Sequence, residues 1–554
     1  MRPLWVLVPL LAAALAGVAL QSDAPGTVTR EELAAAGSLE GAHRLVRFVQ
    51  VTDVHLLDDD APFPLRQEQL DARGPPFNAA QRPQEEYTDE VLAAAVQAIN
   101  GQHAQEPLDF VLFTGDSIDN ALENEFVRFL DVVQGTTTAA GPVSGLACQP
   151  DGQSANTADA SHDVAGQCAS LPAGLAHPGL AAGLPWYQVL GNHDKLIQGN
   201  LAVLPSFQQV AAQDGRHFLA PGEFVGLHFP NGTACPAAAN VGHGFGLAGD
   251  RLCDGDPGND GYYAFSAGSV RFVVLDTVNA GTADNLPVDQ LGAGATAAQL
   301  FGGHADGTLD AAQRAWLDGE VAAHPDQLVI VASHHTLGNF AQPTVRRCLL
   351  GTCIDGPQGA PGEPPLATQL AEDLAARPNV VAWLGGHSHR DHVEPRGGGA
   401  GGFWSIETAG LIDAPQEARI VEVWVTADGH KGFLHTEPLA VQSEPANALA
   451  AGDPQRFQGA EGEPQDRATR LWFNVPAGFV SPAPPPPPTT ATGEPPGPLP
   501  VAGGTQTAPP VAQAPDATAP TSTTAPSVKD LARKLPAPGL LVGVLLLALA
   551  SRRR

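Results

Sequence analysis

Basic side chains are scarce: 29 Lys and Arg stand against 59 Asp and Glu in 554 residues, a formal charge of −30. A general nucleic-acid or anionic-membrane binder needs a basic face to displace counterions, so no nucleic-acid binding is expected. Cysteine is rare as well, six in the whole chain, which excludes a small disulfide-framework protein. None stands in a Cys-x-x-Cys pair, and the spacings fit neither a zinc ribbon nor a finger. A Gly-x-Ser-x-Gly elbow is missing too, which weakens any nucleophilic-serine reading. What the chain has is length enough for two to four domains, or for one large domain with appendages.

The two ends read as targeting devices. Arg2 precedes an apolar run from Leu4 to Leu20, with Gly17 and Ala19 as the small residues before a cleavage point, so residues 1–20 are expected to be a signal peptide and the protein to be exported. Leu535–Ala550 is apolar or Gly/Pro throughout and is followed by Arg552, Arg553 and Arg554. Residues 535–554 are therefore expected to anchor the chain in a membrane, with the basic end inside. The arrangement resembles bacterial C-terminal sorting tails. Ser481–Ser527 holds fifteen prolines and only Glu494 and Asp516 as charges, a disordered, extended spacer with nothing to bury. The acidity thus belongs to the globular part, where it solubilises an exported surface.

The cysteines form three couples close in sequence: Cys148 with Cys168, Cys235 with Cys253, and Cys348 with Cys353. An even number in an exported chain favours disulfides, with neighbour pairing the simplest of fifteen connectivities.

A pattern recurs five times: a β-branched or aromatic run, then abruptly Asp, Asn, His and Gly. Arg47–Thr52 leads into Asp53-Val54-His55, Asp109–Thr114 into Gly115-Asp116, and Trp186–Leu190 into Gly191-Asn192-His193-Asp194. Gln327–Ser333 leads into His334-His335, and Val380–Leu384 into Gly385-Gly386-His387-Ser388-His389. Helical patterns intervene at Glu86–Asn100, at Ala311–His324 after an Asp310 cap, and at Pro365–Ala376. The alternation predicts an α/β architecture with its site beyond the strand ends. Carboxylate, imidazole and amide oxygen suit Zn, Mn or Fe, and the blocks offer enough donors for two ions sharing one carboxylate.

These blocks, in this order from residue 53 to residue 389, resemble those of the calcineurin-like metallophosphoesterase superfamily. Leu309-x-x-x-Gln313-x-x-Trp316-Leu317 is similar to the helix that precedes the double-histidine block, and Phe403–Thr408 with Ala418–Val425 to the last strands of that fold. The resemblance implies a four-layer α/β sandwich: two packed mixed sheets flanked by helices, with long loop insertions. It places a catalytic domain over residues 44–440, after an N-terminal lead (21–43) and before an extension (441–480). Insertions are expected at about 135–185 and 198–260.

Carried over position by position, the resemblance assigns one ion to Asp53, His55 and His389, the other to Asn192, His334 and His387, with Asp116 between them. His334 is preferred over His335, although Thr336 stands where the family usually has the proline that marks the ligand. Asp119 occupies the place of the tyrosine ligand of purple acid phosphatases, so no tyrosinate-to-iron colour is expected. His193 would contact the phosphate or protonate the leaving oxygen, while Asp119, Asn120, Asp194 and His335 orient the ligands. The implied reaction is hydrolysis of a small phosphate mono- or diester by in-line attack of a metal-bridging hydroxide. Arg216, His217, Arg346, Arg390 and His392 are further candidates for phosphate contact. Two alternatives stand beside this reading: a 5′-nucleotidase-like enzyme, and a surface binding protein that keeps its metals without turnover. The residues leave the oligomeric state open.

Overall fold

The computed structural model describes residues 26–58, 82–135, 179–199, 201–203, 205–213, 216–219, 223–224, 227, 261–278, 305–340, 346–349, 352–355, 366–398, 401–444, 446–453 and 459–480. All lie in one compact unit, Val18–Pro482. The expected signal peptide, proline spacer and C-terminal anchor lie outside the described residues, as do most of the two expected insertions. Among the described residues no helix is long and apolar enough to cross a membrane.

In chain order the elements begin with β1 (Val28–Arg30), β2 (His43–Val51), α1 (Thr88–Gln105), β3 (Phe110–Phe113), α2 (Glu123–Gln134) and β4 (Trp186–Gln188). The short α3 (Asn192–Lys195), β5 (Leu196–Ile197), β6 (Leu201–Ala202) and α4 (Pro205–Gln213) follow. Next come β7 (Tyr263–Ala267), β8 (Val270–Val274), α5 (Ala311–Ala323), β9 (Leu328–His335), β10 (Arg346–Leu349), β11 (Thr352–Asp355) and α6 (Leu366–Ala375). The chain closes with β12 (Val380–Gly386), β13 (His392–Gly398), β14 (Gly401–Glu407), β15 (Glu417–Val425), β16 (Lys431–Ala440), α7 (Ala446–Gly452) and β17 (Thr469–Asn474).

Two mixed sheets result. One has seven strands in the order β1-β17-β16-β15-β2-β3-β4, the other six in the order β13-β14-β12-β9-β8-β7. Their central strands read as continuous apolar runs because both faces are covered. Along β9, Leu328, Ile330 and Ala332 face the core between the sheets, while Val329 and Val331 pack outward with Leu317 and Val321 of α5 and Leu370 and Leu374 of α6. The inter-sheet core is aromatic: Phe272 of β8 meets Phe48 of β2 and Phe110 of β3 edge-on, with ring centroids 5.4 and 5.0 Å apart. Helix α1 buries Val91, Leu92, Ala95, Val96 and Ile99 in apolar packing that is continuous with that core. Helices, sheet, sheet, helices: this is the four-layer sandwich that the resemblance implied.

The sheet runs past the expected domain limits at both ends. β1, in the N-terminal lead, pairs in parallel with β17, in the expected extension, Val28 opposite Thr469, and β17 pairs with β16. Residues 28–30 and 469–474 therefore complete the seven-stranded sheet, in which β16 and β17 follow β15; β14 is the last strand of the six-stranded sheet in chain order, as expected. The helix after Asp310 forms as expected, with Asp310 Oδ1 accepting from Gln313 N at 2.7 Å.

Candidate metal centre

The five blocks meet at one place, beyond the carboxyl ends of the parallel strands β2, β3 and β4 of one sheet and β9 and β12 of the other. Backbone bonds lash the loops together: Asp53 N to Gly115 O at 3.1 Å, His55 N to Asp116 O at 2.9 Å, and Ile412 N to Asp53 O at 3.1 Å. Turning the chain sharply at each strand end forces side-chain-bearing residues into left-handed backbone. Asp53, His55, Asp116, His387 and His389 have φ of 52°, 49°, 51°, 77° and 55°. None is a glycine, so each conformation costs roughly 1–2 kcal/mol and is held by the surrounding packing. Two glycines are required by close approach. A Cβ at Gly191 would lie 2.1 Å from Asp116 Oδ1, and one at Gly386 would lie 2.4 Å from Asp53 Oδ2.

Asp116 sits at the centre. Its Oδ1 accepts from His193 N at 2.8 Å, which leaves Oδ2 facing His334 Nε2 at 3.1 Å and His55 Nε2 at 3.6 Å. To one side, His389 Nε2 lies 3.2 Å from Asp53 Oδ1 and 3.2 Å from His55 Nε2. To the other, His387 Nδ1 lies 3.1 Å from Asn192 Oδ1 and 3.3 Å from His334 Nε2. The seven residues expected to hold metal are thus all brought together: Asp53, His55 and His389 form one cluster, His334 and His387 gather with His335 in another, Asn192 meets His387, and Asp116 joins His55 and His193 as well as Asp53 and His334.

Metal ions fit this cage on chemical grounds. His55 Nδ1 lies 2.9 Å from Asp119 Oδ1 and His389 Nδ1 lies 2.6 Å from Asp413 Oδ2. Carboxylates accept, so those nitrogens carry the protons and the two Nε2 lone pairs are turned on each other. His334 Nδ1 likewise donates to Thr114 O at 2.9 Å, which leaves its Nε2 bare towards His387. Converging lone pairs beside two carboxylates call for a cation. The electrostatics agree that a cation belongs here: burial resists charge on His334, but Asp116 and Asp53 push its pKa up to about 9, so that a proton takes Nε2 wherever a metal ion does not. Asp53 is held well below the usual carboxylate range, against its burial, by His389 and His334.

The residues expected around the ligands divide. Asp119 reaches both His55 and His193 Nδ1, the latter at 3.0 Å, and is held low, against its burial, by His193 and His55. Asn120 Nδ2 bonds Asp119 Oδ2 at 3.2 Å and Glu125 Oε1 at 3.1 Å. Asp194 accepts from Ser117 N and Gly191 N at 2.9 and 2.8 Å, pinning two ligand loops, and burial followed by the charge of Asp116 pushes it up to about 7. His335 turns its Nδ1 to Thr277 Oγ1 at 2.9 Å, while its buried Nε2 has no hydrogen-bond partner among the described residues. Its ring stays near His387, centroids 4.4 Å apart.

Among the further phosphate-contact candidates, Arg216 binds the buried carboxylate of Asp58 at 2.6 Å, and His217 bonds Glu223 at 2.8 Å. His392 lies 3.8 Å from Asp466 and Arg390 lies 3.7 Å from Glu407. The Arg346 side chain is outside the described residues.

Sequence reasoning missed Asp413, Arg82 and Glu85. Arg82 Nε lies 3.3 Å from Asp413 Oδ1 and its Nη1 lies 2.7 Å from Glu85 Oε1. Asp413 did carry a signal: it follows the apolar run of β14 as the other acidic and histidine blocks follow theirs. Arg82 and Glu85 carried none.

Carboxylate, imidazole and amide groups thus converge at the strand ends of a double sheet in clusters that could hold metal ions. The calcineurin-like phosphoesterase family profile matches residues 46–391. The chain belongs to that family and is a metal-dependent hydrolase. Solved structures similar to it are distant. A dimetal phosphatase from Danio rerio is 13% identical over 72% of this chain and 100% of that one, with a TM-score of 0.34. The sulfate thiohydrolase SoxB of Thermus thermophilus is 13% identical over 74% and 59%, with a TM-score of 0.30. GAP50, the anchor in the inner membrane complex of Plasmodium, is 9% identical over 79% and 100%, with a TM-score of 0.27. No curated protein matches the chain.

Proposed function

We propose that the protein is an exported dinuclear phosphoesterase that hydrolyses small phosphate mono- or diesters. The observation that carries this is His193: its Nδ1 is fixed by Asp119, and its Nε2 points at the same Asp116 Oδ2 that the metal-binding histidines surround, 4.0 Å away. A binding protein has no use for a histidine so placed.

Asp53, His55 and His389 would hold one ion, Asn192, His334 and His387 the other, with Asp116 shared. His334 is assigned over His335 because its Nε2 faces Asp116 Oδ2 at 3.1 Å, although His335 also gathers with His334 and His387. When bound, such ions, Mn, Zn or Fe by donor type, polarise the phosphoryl group and activate water for in-line attack. The chain's own part is to align the ester and manage the proton. Asp119 accepts from His193 Nδ1 and fixes the ring, so that its imidazolium form presents an Nε2–H to the departing oxygen. Asn192 is oriented by donating Nδ2 to Gly199 O at 3.1 Å, so that its amide oxygen faces the cage. With Asp119 in the place of the tyrosine ligand of purple acid phosphatases, no tyrosinate-to-iron colour is expected.

The apolar runs at the two ends support export and C-terminal anchoring in the cell envelope. Cys348 stands opposite Cys353 in the β10–β11 register, the placement that a cross-strand disulfide needs; the other two couples lie outside the described residues. Full-length protein loaded with Mn or Zn should hydrolyse p-nitrophenyl phosphate, its bis ester or nucleotides. His193→Ala should lower kcat by about 10²–10⁴-fold while keeping both ions. Two bound ions with no hydrolysis of any ester would favour the non-catalytic binding protein.

A further inference from the structure

We infer that Asp413, braced by Arg82, is a positioning residue that makes the Asp53–His55–His389 half of the centre the tighter and first-filled one. The inference rests on the dinuclear reading above and concerns how unequal the two halves are.

The halves differ in what stands behind their imidazoles. Behind His389 is the Asp413 carboxylate at 2.6 Å, and behind His55 is the Asp119 carboxylate at 2.9 Å. In the other half His334 is backed by the carbonyl of Thr114, and Asn192 by the carbonyl of Gly199. An imidazole that donates to a carboxylate is a more basic ligand through its other nitrogen than one that donates to a neutral carbonyl. Charge points the same way. Asp119 and Asp413 stand behind the first half alone, whereas Asp116, and Asp53 at 3.8 Å from His334, serve both, so even with the Arg82 guanidinium counted the first half is the more negative.

Asp413 is built to hold that geometry. Only 2% exposed, it gives Oδ2 to His389, while Oδ1 takes Gln84 Nε2 at 2.8 Å and Arg82 Nε at 3.3 Å. Arg82 therefore grips the far oxygen and leaves the near one to the histidine. Glu85, accepting from Arg82 Nη1 at 2.7 Å and from Arg82 N at 2.8 Å, fixes the guanidinium in turn.

The test is calorimetric titration of manganese chloride into metal-stripped full-length protein, with bound metal counted by elemental analysis after dialysis. Two unequal classes of site are expected. Asp413→Asn should weaken the tighter class by about 10–100-fold, leave the weaker class in place, and so close the gap; Asp413→Glu should restore part of it. Asp119→Asn should weaken the same class and carries the test if Asp413→Asn melts early in the metal-free state. Two equal classes in the unaltered protein, or a loss confined to the weaker class in either variant, would overturn the inference. Failure to bind a second ion overturns the dinuclear reading with it. Two unequal ions with no ester hydrolysis would refute the phosphoesterase reading and leave this inference standing.

Discussion

The two sheets contribute different chemistry to one site. The seven-stranded sheet supplies oxygen-rich loops: Asp53 and His55 after β2, Asp116 and Asp119 after β3, Asn192 and His193 after β4. The six-stranded sheet supplies imidazoles, His334 and His335 at the end of β9 and His387 and His389 after β12. Neither set alone is a cage. The carboxylates of the first would repel each other without a cation, and the imidazoles of the second would lack an anion to hold one. The centre therefore exists only where the sheets pack, and metal retention should report on that packing.

The largest effect should come from the residue that joins the two sets. Asp116→Ala removes the oxygen that faces both His55 and His334, and should abolish loading of both ions together. Turnover should fall by more than about 10³-fold, beyond the loss of a single transition-state contact. Metal analysis and ester hydrolysis on the same preparation check this; an active, fully loaded variant would break the shared-carboxylate arrangement.

Next is the packing itself. Phe272 is fully buried against Phe48 and Phe110 across the sheets. Phe272→Ala should lower stability by about 3–5 kcal/mol, and urea unfolding followed with and without added Mn should show metal restoring part of the loss. A destabilised variant whose stability ignores metal would mean that the sheets come together independently of the site.

The same division explains what the sequence could reveal. Each ligand block is local, an apolar strand ending in a polar turn, so all five were legible, and Ala311–Ala323 followed from its Asp310 cap and its apolar spacing. Relations across the chain were not. β1 has three residues, and its pairing with β17 spans more than four hundred positions, leaving no periodicity to read. The partnership of Arg82 with Asp413 is likewise tertiary, since nothing in the Arg82 neighbourhood marks it as the brace of a distant strand end. The choice between His334 and His335 turned on side-chain direction at the end of β9, which a pair of adjacent histidines cannot encode.

A smaller effect should appear on one sheet only. Glu422 of β15 receives Arg44 Nη1 at 2.8 Å and Arg47 Nε at 3.0 Å. Burial works against its ionisation, but bonds from His435 and Trp424 and the charge of Arg44 hold the carboxyl down to about 2, from 4.5. A depressed carboxyl stabilises the fold above its unfolded pKa, and that contribution is lost as pH falls from about 4.5 towards 2. Glu422→Gln should cost about 2–3 kcal/mol at pH 6, and the difference from the unaltered protein should shrink steadily as the pH approaches 2. Metal content at pH 6 should not change, because Glu422 lies on β15, which carries no ligand, and meets β2 at Arg44 and Arg47, away from the end that leads into Asp53.

The smallest effect tests the other sheet in the same way. Asp310 caps α5 through Gln313 N, and α5 packs on the outer face of the six-stranded sheet, away from the inter-sheet core. Asp310→Ala leaves one orphan N–H at the helix start and should cost about 1 kcal/mol. If the centre depends on how the two sheets meet and not on their outer helices, this variant should bind both ions with unchanged affinity and keep its turnover. A loss of metal affinity from so small a change would show that the outer helix layer tunes the position of β9, and with it His334. The boundary of the site would then have to be drawn one layer further out.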